Sequence, residues 1–136
     1  MDELINYLCN YAYKHHIGFI LSSDHMRSDY VPTSSYLMKL VIINMNWDPK
    51  TEIPFQFSHE IGHIINGNSD VVTVSTTTIK EENSADKFAI DLLIEYAKLN
   101  EIPIYNAVKF TELFGIPTRL EGLVGKEIKA LYGSDE

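Results

Sequence analysis

Five residues, His59-Glu60-Ile61-Gly62-His63, constrain this chain more than any other stretch. Histidines four apart sit one above the other on an α-helix, so both imidazoles leave the same face and can share a metal ion. Glu60 is turned about 100° further round the axis. There it can flank a water held by that ion without being a ligand itself. Two histidine ligands with a carboxylate beside a water is the arrangement of zinc hydrolases. The pattern therefore asks for a helix with one packed face and one face open to a cleft. It also asks for a third ligand from elsewhere in the chain.

The surrounding residues meet the first demand. Phe57, Ile61, Ile64 and Ile65 gather on the side away from His59 and His63, which makes that side core. Thr51 is a suitable cap, Pro54 falls in the first turn where its missing N–H is not needed, and Asn66-Gly67-Asn68 ends the helix. Gly62 lies beside the ligand face and permits close packing there.

The third ligand is sought on a second helix, from Glu81 to about Leu99. Lys87, Asp91, Glu95 and Lys98 form one narrow polar stripe, and Ala85, Ala89, Leu92, Leu93, Tyr96 and Ala97 fill the opposite side. Glu82 and Asp86 fall on that apolar side, one turn apart. Carboxylates facing a core are costly unless something positive or hydrogen-bonding meets them. One reading leaves Glu82 in a fraying first turn, stabilised by the helix dipole. The other makes Glu82 the third metal ligand, with Asp86 behind it fixing a histidine tautomer. Glu81 is the rival ligand, nearer the edge of the apolar arc and without a carboxylate four residues on, so Glu82 is preferred.

The remaining segments frame these two helices. Asp2 to His15 has helical spacing of Leu4, Ile5, Leu8, Tyr11 and Ala12, and Gly18 to Leu21 is a short strand. Ser22 to Ser35 reads as a loop, in which His25 is a weak candidate for a ligand or substrate contact. Tyr36 to Asn46 is the best strand, and if its part from Tyr36 to Asn44 edges the cleft it can align an extended substrate. Asp70 to Lys80 is a connector of undecided structure. Ile104 to Phe114 and Thr118 to Leu131 are two further helices, with Thr118-x-x-Glu121 matching a capping box. For stabilising an oxyanion, Tyr96, Tyr105 and His25 are each weak candidates.

Length and charge narrow the class. A chain of 136 residues suffices for one domain with its own core, taken here as 1–136. Nineteen acidic against eleven basic residues leave a net charge of −8, which disfavours a mainly electrostatic hold on nucleic acid or an anionic membrane. Cys9 is the lone cysteine, so no intramolecular disulfide forms and a reducing cytosol suits the chain. The N-terminus lacks a basic leader region and no apolar run approaches the length of a membrane span. The expectation is a cytoplasmic protein.

HEIGH on one helix, followed nineteen residues after its second histidine by Glu82-Asn83-Ser84-Ala85-Asp86-Lys87-Phe88-Ala89, resembles the ImmA/IrrE metallopeptidases. The resemblance covers residues 36 to 99 well and the C-terminal helices more loosely. It implies that His59, His63 and Glu82 hold Zn2+, that Glu60 is the general base, and that Asp86 supports a ligand histidine. Asp86 stands where many members have Asn. The implied fold is α+β: a compact zincin-like domain with an N-terminal helix, a small β-sheet, the HExxH helix, the Glu-bearing second helix and a C-terminal helix pair. The implied activity is intracellular endopeptidase cleavage or inactivation of a helix-turn-helix repressor of bacterial, mobile-element or phage type.

Two other classes compete. One is a regulatory protein that sequesters a repressor or antitoxin without cutting it. The other treats Asn106 to Ala130 as a DNA-binding helix-turn-helix. There Lys109, Arg119, Lys126 and Lys129 are offset by Glu112, Glu121 and Glu127, so direct nucleic-acid binding is not expected.

Overall fold

The computed structural model describes residues 2–23, 27–68, 76–104 and 106–132. In chain order these form α1 (Asp2–Lys14), β1 (Gly18–Ser22), β2 (Thr33–Ser35), β3 (Leu40–Asn44), a 3-10 turn (Lys50–Glu52), α2 (Ile53–Ile65), α3 (Thr76–Leu99), α4 (Ala107–Leu113), a second 3-10 turn (Thr118–Leu120) and α5 (Glu121–Tyr132). The class is α+β, as the residue patterns and the resemblance implied. His25, Tyr105, the 69–75 part of the expected connector and the tail after Tyr132 lie outside the described residues.

The helical periodicities produce the core directly. Leu4, Ile5, Leu8 and Ala12 of α1 are buried together with Phe57, Ile61 and Ile64 of α2 and Ala89, Ile90, Leu93, Ile94 and Ala97 of α3. Ile65, expected on the same face, is 40% exposed because it falls in the last turn of α2, where the packed surface ends. Cys9 is partly buried against the core, and burial pushes its thiol pKa up.

The sheet departs most from expectation. Its order is β1-β3-β2, with β1 parallel to β3 and β2 antiparallel to it. The strand expected over Tyr36 to Asn46 is only Leu40–Asn44, and three residues of the expected loop form β2. The β-branched run Val41-Ile42-Ile43 lies wholly in β3. Tyr36 to Lys39 contains no such residue and makes the reversal, with Lys39 at φ 52° and its N–H donating to the Tyr36 carbonyl at 3.2 Å. Leu37 and Met38 stand exposed at the tip. Val41 and Ile43 are fully buried, and β3 packs on α2.

Two polar devices hold the loops that flank α2. Asn44, fully buried at the end of β3, donates through Nδ2 to the carbonyls of Arg27 (2.7 Å) and Tyr30 (3.0 Å) and accepts from the Asn46 N–H (2.8 Å). It thereby ties the segment leading into β2 to the sheet. Gly115, at φ +63°, lets the chain after α4 press on the backbone ahead of α2, where a β-carbon would overlap the Thr51 carbonyl.

α3 begins at Thr76, five residues earlier than its periodicity suggested, and α4 is shorter than expected because Asn106 caps it, accepting from the Lys109 N–H at 2.9 Å. The Thr118-x-x-Glu121 capping box does not start α5. Thr118 lies inside the preceding 3-10 turn, whose cap is Pro117.

The polar stripe of α3 meets α5. Lys87 Nζ lies 3.1 Å from Asp91 Oδ2 and 3.5 Å from Glu127 Oε1, so one ammonium serves two carboxylates. Burial and the neighbouring Glu127 push the Asp91 carboxyl up to about 6, with Lys87 opposing them. A carboxyl held above its unfolded value binds its proton more tightly when folded, so stability falls as pH rises from about 4 to about 6. Asp91→Asn should remove that loss. Its unfolding free energy relative to wild type should gain on the order of 1 kcal/mol between about pH 4 and about pH 7, a figure reduced for solvent screening. Urea denaturation at the two pH values checks this, and an unchanged difference would mean that Asp91 and Glu127 share no proton.

Candidate metal centre

α2 starts with Pro54 at its second position, where the missing N–H costs nothing, and Ser58 Oγ donates back to the Pro54 carbonyl at 2.9 Å. Glu52, not Thr51, stands at the cap position and makes no side-chain cap bond. Its carboxylate instead accepts from Trp47 Nε1 at 2.9 Å. The far end closes as a Schellman turn: Asn68 N–H donates to the His63 carbonyl at 2.9 Å and Gly67 N–H to the Ile64 carbonyl at 3.0 Å, with Gly67 at φ 71°. Hydrogen bonds thus tie the helix on both sides of the His59–His63 pair.

α3 crosses α2 closely at Gly62, where a β-carbon would meet Phe88 Cδ1 at 3.0 Å. This approach lets Glu82 reach both imidazoles. Its Oε1 is 2.9 Å from His59 Nε2, and its Oε2 is 3.0 Å from His63 Nε2. Donor atoms of His59, His63 and Glu82 all lie within 4.8 Å of one another. Glu81 is not in this group. Contrary to expectation, Glu82 is not buried: its side chain is 53% exposed, whereas Asp86 is 3% exposed. The earlier start of α3 puts Glu82 in the second turn, beyond the edge of the core, and it spans the mouth of the cleft.

The outer nitrogens of the rings are occupied too. His59 Nδ1 is 2.9 Å from Asp86 Oδ1, a close charged contact though not aligned as a straight hydrogen bond. His63 Nδ1 is 2.7 Å from Asn68 Oδ1. A neutral imidazole carries one N–H. With acceptors at both nitrogens of both rings, the cluster demands either two imidazolium protons or a cation between the Nε2 atoms and Glu82. Around a tetrahedral ion with bonds of about 2.0–2.1 Å, donors sit about 3.3 Å apart. The observed 2.9 and 3.0 Å separations reach that with a small opening. The residues fit a divalent metal.

Beside the cluster lies a cleft of about 380 Å³, lined by Pro32, Phe55, Gln56, His59, Glu60, Glu82, Asp86, Pro117 and Arg119 among others. Glu60 is largely buried and faces this cleft. Arg119, from the turn before α5, places Nη1 3.5 Å from Asp86 Oδ2 and is otherwise 67% exposed. By residue pattern alone Arg119 falls among the cations of a DNA-binding face and Asn68 is only part of a helix end. Periodicity marks neither: Arg119 arrives through a tertiary contact, and Asn68 through the left-handed turn that ends α2. Tyr96 is not at the site: it is buried, edge-on to Tyr7 and Phe114.

Burial is the largest influence on His59 and acts to lower its pKa, but the Asp86 contact and the Glu60, Asp86 and Glu82 carboxylates together outweigh it. The net shift is upward from 6.5.

Residues 14–120 match the family model of the IrrE N-terminal-like domain (Peptidase_M78). The chain belongs to that peptidase family. The match bears out the ImmA/IrrE resemblance, and at family level it implies a peptidase with a protein substrate. It spans every element named above from β1 through the turn carrying Arg119. No curated protein and no solved structure matches the chain. Among the described residues, no helix is long and apolar enough to cross a membrane.

Two outcomes are expected for metal binding. Glu82→Ala should weaken Zn2+ binding by more than the roughly 10–100-fold typical of losing a group behind a ligand, measured by chelator competition. Stoichiometric zinc retained by that variant would move the third ligand elsewhere, with Glu81 first in line. Because the metal must displace a proton from His59, affinity should fall as pH drops through the raised His59 pKa, by up to about tenfold per unit. Calorimetry in buffers of different ionisation enthalpy should show proton release near neutral pH.

Proposed function

We propose that this chain is a zinc-dependent cytoplasmic endopeptidase that inactivates a helix-turn-helix repressor by cutting it. The convergence of His59, His63 and Glu82 beside Glu60 in an open cleft carries the enzymatic part of this reading. The resemblance of the HEIGH and Glu82–Ala89 motifs supports the choice of target.

His59, His63 and Glu82 would hold the ion. Bound zinc supplies a water acidic enough to ionise near neutrality and polarises the peptide carbonyl. Glu60, in the cleft next to His59, takes the proton of the attacking water and returns it to the leaving amine. Asp86 holds the His59 ring from behind.

The substrate is aligned by β2. The central strand β3 is paired on both sides and has no edge to offer, so the expected alignment on Tyr36 to Asn44 does not apply. β2 is an edge strand, and Pro32 immediately before it lines the cleft. An extended peptide added to β2 would continue past Pro32 toward the cleft that holds His59, Glu82 and Arg119. Arg119, a cation among carboxylates, then binds a carbonyl or carboxylate of that peptide while Asp86 orients its guanidinium.

Co-expression with the repressor encoded beside this gene, followed by mass mapping, should reveal one dominant cut. Glu60→Gln should abolish it, with a loss of at least about 10²-fold, while keeping zinc. If Glu60→Gln retains the full biological effect with the repressor intact, sequestration replaces cleavage. On a peptide spanning the mapped cut, Arg119→Ala should raise KM about tenfold and leave kcat within a few-fold, as expected for losing one charge-assisted hydrogen bond made throughout the reaction. An unchanged KM would leave Arg119 as a partner of Asp86 only.

A further inference from the structure

The two imidazoles of the metal cluster are held from behind in different ways. His59 meets a buried carboxylate from α3, but His63 meets a neutral amide from its own helix end: Asn68 Oδ1 lies 2.7 Å from His63 Nδ1. The backbone sets this contact. The left-handed Gly67 turns the chain back over the last turn of α2, and the Asn68 N–H bonds to the carbonyl of His63 itself. A residue whose N–H is fastened to His63 has its side chain within reach of the His63 ring. We propose that Asn68 is a positioning residue of the metal site, and that the stop signal of α2 doubles as the support of its second histidine.

The chemistry follows from the inventory of groups. An amide oxygen accepts and cannot donate, so it holds the proton on Nδ1 and leaves Nε2, beside Glu82, as the nitrogen that can take a cation. The ring is then locked in the tautomer and rotation that a cation needs. Because the acceptor is neutral, it adds no negative charge to a cluster that already holds Glu60, Glu82 and Asp86. The side chain of Asn68 takes no part in closing the helix, since both cap bonds are made by backbone. Loss of the side chain and loss of the helix end are therefore separable. This inference rests on the metal-site reading above, and its test includes a measurement that needs no metal.

The variants are Asn68→Ala and Asn68→Asp, compared with wild type. In metal-free wild type the His63 Nδ1–H should give a slowly exchanging, nitrogen-coupled proton resonance, which Asn68→Ala abolishes and Asn68→Asp retains. Zinc affinity by chelator competition should fall about 10–100-fold in Asn68→Ala and recover to within about threefold of wild type in Asn68→Asp. The melting temperature of the metal-free Ala variant should stay within a few degrees of wild type. The proposal is overturned if Asn68→Ala keeps the resonance, binds zinc within twofold of wild type, or fails to fold, which would make the side chain a structural cap. It is also overturned if Asn68→Asp binds no better than Asn68→Ala. If wild type binds no zinc at all, the enzymatic reading fails, while the Nδ1–H resonance still decides the role of Asn68.

Discussion

At the crossing of α2 and α3, Gly62 presents bare backbone to the ring of Phe88, and there is no room for a β-carbon without displacing that ring. The whole site depends on this approach. Glu82 and Asp86 leave α3 one turn apart, and each reaches an imidazole of α2 at 2.9 to 3.0 Å. Holding the helices further apart by even one methyl group would leave contacts of that length unmade. The cores on either side, Phe57 and Ile61 from α2 and Ala85 and Ala89 from α3, are fully buried and fix the helices in this relation. Hydrophobic packing thus sets the geometry of a polar cluster that packing alone would disfavour.

That cluster is tolerated because Asp86 has cationic or polar partners and Glu82 stays in water. Asp86, almost wholly buried, faces His59 through one oxygen and Arg119 through the other. Glu82 remains half in water, so it escapes most of the desolvation cost. His59, pulled toward neutrality by burial and toward protonation by three carboxylates, keeps a raised pKa. Without a cation the same carboxylates hold protons at the site. The arrangement is poised to exchange those protons for a metal.

Elements distant in sequence complete the cleft. Asn44 fastens the 27–30 segment, two residues ahead of Pro32 on one wall. Gly115, pressed onto Thr51, brings the turn carrying Pro117 and Arg119 against the other. The turn ahead of α5, part of a segment that in isolation resembles a weakly basic helix-turn-helix, therefore contributes a cation to the cleft beside His59.

Much of this was legible in the residues alone. The spacing of His59 and His63 and the apolar faces of α2 and α3 follow from the pitch of a helix, a local property that one sequence displays in full. The ends of elements were less legible, as at the Tyr36–Lys39 reversal and the start of α3, because boundaries depend on which pairing partner is present. Asn68, Arg119, Asn44 and the edge position of β2 left no periodic trace. Arg119, Asn44 and β2 owe their places to contacts between segments, whereas Asn68 is folded back by a left-handed glycine onto its own helix, a turn geometry that periodicity does not register. Helical pitch determined which residues share a face. Only the packing of one element on another decided what that face meets.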